Sequence, residues 1–488
     1  MMPDGGNLEM LRPCGRWETF STARNHLGYY NNVGLIATYT SSPQSSDSLE
    51  AEIYAALRVV IDKHSILGAI PLNEDKSYPK VYFSRLRSVD LQSCVEFRQR
   101  KIPGPQDGEV DQELDDLVAG QHNRAFKHDA RTKPFWRLAV LTSVHNPATF
   151  TAAFVFHHAL ADGSSALRFH DTFLAALNTL GRNRCSDPVV PSPSTPIPPP
   201  FEELHPMTVS WSYFLKAILT TLLPSVFAAR PAKIWTGNDI PATTPSPPIF
   251  KFRTITLSAD TTKRLAILCR QNGTSVTAAL QCLLAASLFA NLPASEFRRL
   301  KITGAMSMRR FLHGLVEDQM TNAIMPYEFM HERSIHETDK HIGGILQYFS
   351  WSQAQDVKAT ISTELAKAGN DNSISLLKYV SDMHGLFTAT LGKPRTCSAD
   401  ISSIGVYKPK DDGAGKWKIG RMVFSQCATW TGAPLGLSII TGGDGNASLN
   451  FVWCEGGIED ELVVRVVEGV RNAVGELVKD RDGKDSIE

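Results

Sequence analysis

None of the eight cysteines in this 488-residue chain belongs to a CxxC pair or to a paired cysteine–histidine knuckle. That excludes the usual zinc ribbon and argues against a disulfide frame. Thiols scattered singly read as the reduced cysteines of an intracellular protein. Net charge is missing too, since 50 Lys and Arg balance 50 Asp and Glu. A dedicated nucleic-acid binder needs a basic surface, so that class is set aside, although a local basic patch is not. The N-terminus, MMPDGGNLEMLRPCG, lacks the basic start and apolar core of a signal peptide, and a cytoplasmic location is expected. Long apolar runs are scarce. The segment 209–229, VSWSYFLKAILTTLLPSVFAA, has Lys216 as its only charge. Its serines, threonines and Pro224 argue against a membrane span and for a helix packed on the protein. Weak contact with a membrane surface is the other reading.

What is present is ordinary globular material: 42% hydrophobic and 20% charged residues, in a chain long enough for a large core and two structural halves. The N-terminal half alternates strand and helix signals. LGYYNNVGLIATYT (27–40) reads as a strand with a turn-like Asn-Asn inside it, SLEAEIYAALRVVIDKH (48–64) as a helix, CVEFR (94–98) as a strand and 112–126 as a helix. WRLAVLTSV and TFTAAFVFHH form a strand pair around HNPA. A proline-dense stretch, 186–206, reads as an extended crossover. The boundaries expected are 1–185, a crossover with its apolar helix over 186–249, and 250–488. The second half opens with strand 250–258, a helix through Cys269, a buried helix 274–292 capped by Thr274 or Ser275, and strand 300–308. Helices over about 336–368 and 372–391 follow. GGDG (442–445) then turns a hairpin, and an amphipathic helix closes the chain. The fold class is α/β with mixed sheets.

The chemistry concentrates in FVFHHALADGSSALRFH (154–170). An apolar run without breakers ends in His157 and His158, and a helical pattern begins after Asp162. Alternation puts Phe154, Phe156 and His158 on one face and Val155 and His157 on the other. His158 and Asp162 therefore do not share a helix face, despite their spacing. Ser164 or Asp162 caps the helix, and Gly163 suits a turn with unusual backbone angles. Three readings compete for the histidines. They are structural histidines beside an ordinary cap, ligands of a metal site for which no third ligand is near, or a general base, since neutral imidazole suits proton transfer from an alcohol or amine.

HHALADGSS resembles the HHxxxDGxS signature of the coenzyme-A-dependent acyltransferase superfamily, which includes chloramphenicol acetyltransferase-like enzymes, plant BAHD acyltransferases and peptide-synthetase condensation domains. KPFWRLAVL (133–141) looks like the strand that pairs with the motif strand in these proteins. Residues 11–41 resemble the N-terminus of fungal alcohol acetyltransferases, and ITGAMSMRRFL (302–312), ISSIGVY (401–407) and the segment 423–453 resemble their C-terminal half. The DFGWG motif of BAHD enzymes is absent, which favours the fungal branch and leaves the coenzyme A contacts unassigned.

The resemblance implies two chloramphenicol-acetyltransferase-like subdomains with a channel between them and His158 at its middle. His158 takes the proton of an alcohol as its oxygen attacks a thioester, then protonates the departing thiolate. No acyl-enzyme is needed. Asp162 turns away from the channel and pairs with Arg309, or with Arg310 if the register slips by one. His157 and Gly163 are structural support. Tyr30, Asn31, Asn322, Ser425 and Gln426 are candidate wall residues. Acetyl-CoA is the expected co-substrate, a small alcohol or hydroxylated secondary metabolite the acceptor, and a monomer the expected state. No metal, no tightly bound cofactor and no nucleic acid are expected. The alternatives are an amine acceptor, a longer acyl-CoA, a carrier-protein thioester, or a binding protein or different reaction in the same channel.

Overall fold

The computed structural model describes residues 8–42, 48–102, 110–126, 131–179, 185–222, 234–244, 247–314, 318–334, 344–409 and 415–479. In chain order the first half runs β1 (Glu9–Pro13), α1 (Arg16–His26), β2 (Val33–Ser41), α2 (Leu49–Lys63), β3 (Ala69–Leu72), β4 (Tyr82–Arg85), β5 (Ser88–Asp90), β6 (Val95–Gln99), α3 (Gln112–His122), β7 (Trp136–Thr142), β8 (Thr149–Phe156), α4 (Gly163–Thr179), β9 (Val189–Pro191), α5 (Phe201–Leu204) and α6 (Trp211–Leu222). The second half runs β10 (Phe250–Leu257), α7 (Ala259–Gln271), α8 (Val276–Asn291), β11 (Arg299–Ser307), β12 (Ile324–Glu332), α9 (Trp351–Ala366), α10 (Met383–Thr388), β13 (Ala399–Val406), β14 (Trp417–Gln426), β15 (Leu435–Thr441), β16 (Ala447–Cys454) and α11 (Asp460–Lys479).

Two mixed sheets carry the architecture. One has the order β14-β2-β8-β7-β6, the other β10-β16-β15-β13-β11-β12. β8 is an interior strand of apolar and β-branched residues, paired antiparallel on both sides with β2 and β7. α4 lies across it, with the Phe169 ring stacked on Phe154 at 3.7 Å between centroids. In the other half α8 is apolar all round and buried, and Ser275 caps it by accepting the Ala278 N–H. α11 buries the stripe Leu462, Val463, Val466, Val467, Val470 and Val474. β14 comes from the C-terminal half in sequence but joins the N-terminal sheet, antiparallel to β2 along Trp417–Gln426.

Several elements differ from the sequence expectation. The strand expected from residue 27 starts at Val33, because Gly28 takes φ +75° after α1 and Asn25 Nδ2 donates to the carbonyls of Tyr30 and Asn31. Of the helical stretches expected over 336–368 and 372–391, the first holds the 16-residue α9 and a short turn of helix at 344–348, and the second only a short turn at 375–379 and the six-residue α10. Positive φ at Ala368, Gly369 and Asp371 ends α9, and residues 336–343 lie outside the described residues. The apolar segment over 209–229 is helical from Trp211 to Leu222, but it is not packed into the core. Trp211 is 78% exposed, with Leu215, Ile218 and Leu219 also exposed. The helix is tied at its start, where Ser210 Oγ and Asp371 Oδ2 stand 2.9 Å apart. Residues 223–229 lie outside the described residues. Among the described residues no single helix is long and apolar enough to cross a membrane.

Without β14 the buried strand β2 becomes a long edge whose backbone groups on that side have no partners, while the other side still pairs with β8. A chain cut after residue 249 is therefore expected to aggregate or to melt without a cooperative transition. Circular dichroism during thermal unfolding checks this; a sharp, reversible transition of the fragment would contradict it.

Candidate active site

β8 ends at Phe156, and the turn that follows places two histidines on opposite sides. His157 is fully buried. Its Nδ1 accepts the Ala159 N–H at 3.0 Å, its Nε2 lies 3.0 Å from Glu74 Oε1, and its ring packs beside Phe135 and Phe126. His158 points the other way, into a cavity of about 210 Å³. His158 Nδ1 lies 2.9 Å from the Ala161 carbonyl. A carbonyl only accepts, so Nδ1 carries the proton and Nε2 keeps its lone pair. Burial, followed by the nearby Arg24 cation, lowers the His158 pKa to about 4, so the ring is neutral at physiological pH. That shift alone does not single it out, because burial also takes His64, His170 and His331 to about 4 and His122 to about 3. What distinguishes His158 is a committed Nδ1 combined with a place on the cavity wall.

Asp162 is fully buried and absent from that wall. Its Oδ1 accepts the Ser165 N–H at 2.7 Å, which caps α4, and its Oδ2 accepts the Ala323 N–H at 2.9 Å. Arg309 Nη2 lies 3.6 Å from Oδ1 and donates to Ser165 Oγ at 2.5 Å. The single turn Arg309–Phe311 after β11 settles the register, bringing Arg309 to the carboxylate. Arg309 also donates to the Gln319 and Thr321 carbonyls, at 3.1 and 3.2 Å. Gly163 differs from its expected role. It is the first residue of α4 without a positive φ, and it is small because a Cβ there would meet Ile404 Cγ2 at 2.7 Å and the Phe424 ring at 2.9 Å.

Of the five residues read as channel wall, Tyr30 and Gln426 line the cavity, and the Tyr30 hydroxyl donates to Gln426 Oε1 at 3.3 Å. Asn31, Asn322 and Ser425 do not. Alternation along β14 aims Phe424 and Gln426 at the cavity and Ser425 at His122, 2.8 Å away. Asn31 Nδ2 donates to the His122 carbonyl, and Asn322 Nδ2 donates to the His158 carbonyl at 2.7 Å, bracing the loop from outside. Sequence reasoning missed Trp17, Arg24 and Asp400, all on the wall. Asp400 left one signal, a lone acid inside the apolar strand β13. Cys427, also on the wall, lies 3.5 Å from His122 Nδ1, but burial raises its thiol pKa to about 12. Among the described residues no group of three or more His, Cys, Asp or Glu side chains stands where it could hold a metal ion.

Two mixed sheets joined by β14, with a cavity that carries His158 on its wall, make up a two-subdomain fold of the chloramphenicol acetyltransferase type. The fold matches that of TRI3, a trichothecene 15-O-acetyltransferase of Fusarium sporotrichioides, with a TM-score of 0.67 at 12% identity over 95% of this chain and 94% of that one. It also matches the first condensation domain of the calcium-dependent antibiotic synthetase, with a TM-score of 0.59 at 12% identity over 98% and 97%. The chain belongs to the alcohol acetyltransferase family, whose model matches residues 104–467, and it is an acyltransferase. It is 34% identical over 470 residues to the probable alcohol acetyltransferase crmB of Aspergillus fumigatus, covering 93% of this chain and 97% of that protein. A second relative, the probable alcohol acetyltransferase FCK4 of Fusarium pseudograminearum, is 24% identical over 96% and 94% of the two chains.

Asp162→Ala removes the helix cap, the Ala323 contact and the partner of Arg309. Breaking a buried pair costs about 3–5 kcal/mol. The remaining acceptors of Arg309 put the expected loss at the lower end, with slower acetyl transfer. Arg310→Ala is expected to leave both unchanged. Urea unfolding of the two variants checks this, and equal stabilities would contradict it.

Proposed function

We propose that this protein is an acetyl-CoA-dependent O-acetyltransferase of a small hydroxylated molecule, with His158 as its general base. The observation that carries the reading is the placement of His158, with Nδ1 2.9 Å from the Ala161 carbonyl and the ring on the cavity wall. With the Nδ1 proton held by Ala161 O, Nε2 faces the cavity as a free, neutral proton acceptor. An acceptor hydroxyl gives its proton to Nε2 as its oxygen bonds to the thioester carbonyl carbon. Collapse of the tetrahedral intermediate breaks the C–S bond, and the imidazolium returns that proton to the coenzyme A thiolate. Such proton transfer is worth about 10²–10⁴-fold in rate, and orientation of two substrates in one cavity up to about 7–11 kcal/mol more. Direct attack without an acyl-enzyme is supported by the wall's chemistry. Cys427 there is a raised, protonated thiol whose neighbour His122 is itself pushed to about 3. Asp162, Arg309 and Asn322 position the loop and touch no substrate. The exposed face of α6 is the surface suited to a weak membrane contact.

His158→Ala is expected to keep the fold and melting temperature while lowering acetyl transfer by at least about 10²-fold. Thiol release from acetyl-CoA across a panel of alcohols and amines measures it, and turnover at the wild-type rate would remove the general base. The pH profile gives an independent check. Protonation below the His158 pKa of about 4 destroys the base, so kcat/KM stays flat from neutrality to about pH 5 and falls as the pH drops through 4. An acid limb near 6.5 would mean a solvated histidine.

A further inference from the structure

α1 is unusual for a helix at the edge of a fold, because its polar residues are buried. Most of them are satisfied. Glu18 pairs with Arg12 at 2.7 Å, the hydroxyls of Thr19, Ser21 and Thr22 donate to carbonyls one turn back, and Asn25 donates to the Tyr30 and Asn31 carbonyls. Two donors, on residues that line the cavity, are not. The Arg24 guanidinium, 8% exposed, lies over the rings of Tyr30 at 4.3 Å and Phe20 at 4.9 Å, and its Nε has no acceptor. The indole Nε1 of Trp17, a residue 9% exposed, has none either. Across the cavity Asp400 projects from β13. Gly436 on β15 leaves it room, since a Cβ there would stand 2.8 Å from Asp400 Oδ1. Burial raises the Asp400 carboxyl to about 7, against the pull of Arg24.

Leaving buried donors unpaired costs about 1–3 kcal/mol each, and more when charged. Such groups in a native structure call for a partner. Arg24 is a cation, and Asp400, raised to about 7, is only partly ionised at neutral pH, so the group that fits presents an acceptor oxygen to the donors and a donor hydrogen to the carboxyl group. We propose that Trp17, Arg24 and Asp400 form a recognition subsite for a carboxamide-type group, C=O beside N–H, carried by the acceptor alcohol at a distance from the hydroxyl that reacts at His158. This rests on the function proposed above. It makes the preferred acceptor a polyfunctional molecule and a plain alkyl alcohol a poor one.

The test compares ω-hydroxy-carboxamides of graded chain length with alkan-1-ols, ω-hydroxycarboxylates and ω-amino alcohols of matching length, using acetyl-CoA. The best carboxamide is expected to exceed its alkanol by at least about tenfold in kcat/KM, which corresponds to about 1.4 kcal/mol. In Arg24→Met, and more mildly in Trp17→Phe, that ratio falls towards one. Trp17→Phe keeps the ring and guards against a misfolded Arg24 variant, and melting temperatures report on both. Equal use of alkanol and carboxamide at every length would overturn the proposal, as would a variant that slows both substrates alike. Preference for the carboxylate or the amine would overturn the neutral ligand. Calorimetric binding of the same compounds to His158→Ala protein reads the subsite without turnover. No transfer to any alcohol, together with selective carboxamide binding that Arg24→Met abolishes, would reject the proposed reaction and keep the subsite. Transfer without selectivity, in rate or in binding, would do the reverse.

Discussion

The site depends on one buried carboxylate. Asp162 caps α4, holds the Ala323 amide of the C-terminal half and meets Arg309 beside Ser165, all without touching the cavity. A charge taken out of water is tolerated only when its lone pairs are occupied, and here they are. The consequence reaches four residues back. The turn between His158 and Asp162 is clamped at one end by this cluster and at the other by β8. The Ala161 carbonyl therefore stands where it fixes the His158 proton. Asn322, next to the amide that Asp162 accepts, ties the His158 carbonyl from the same side. The tautomer of the histidine is thus set by backbone placement, with no second carboxylate bonded to its ring.

Under the proposed mechanism a histidine with so low a pKa still makes sense as a base. In water a base near 4 is weak, but inside this cavity the low value comes from burial and from Arg24, both of which raise the cost of the imidazolium. In the proposed reaction the imidazolium forms only as negative charge develops on the attacked carbonyl.

Much of this was legible in local sequence, and the rest was not for a definite reason. The strand-to-helix junction, the opposite directions of His157 and His158, and the cap at Asp162 follow from residues within a few positions of one another. Arg309 needed one fact more, the turn that follows β11, and the sequence alone kept Arg310 as its runner-up. The apolar segment at 209–229 misled because composition predicts helix but not what covers it. Trp17, Arg24 and Asp400 were invisible because their meaning lies in convergence. Two sit on a helix whose polar faces look solvent-bound, and the third lies almost 400 residues along the chain on a strand of the other sheet. Gly163 was read as a backbone requirement and is a packing one, a distinction that only Ile404 and Phe424 reveal.

β14 has a mechanical consequence. Many two-lobed enzymes work like jaws, opening about a hinge to load and closing to react. Here a ten-residue strand of one lobe is zipped into the sheet of the other, and its last residues, Phe424 and Gln426, are themselves part of the cavity wall. Parting the lobes would unzip that ladder. Under the proposed function, substrates and products therefore reach the cavity without the lobes parting.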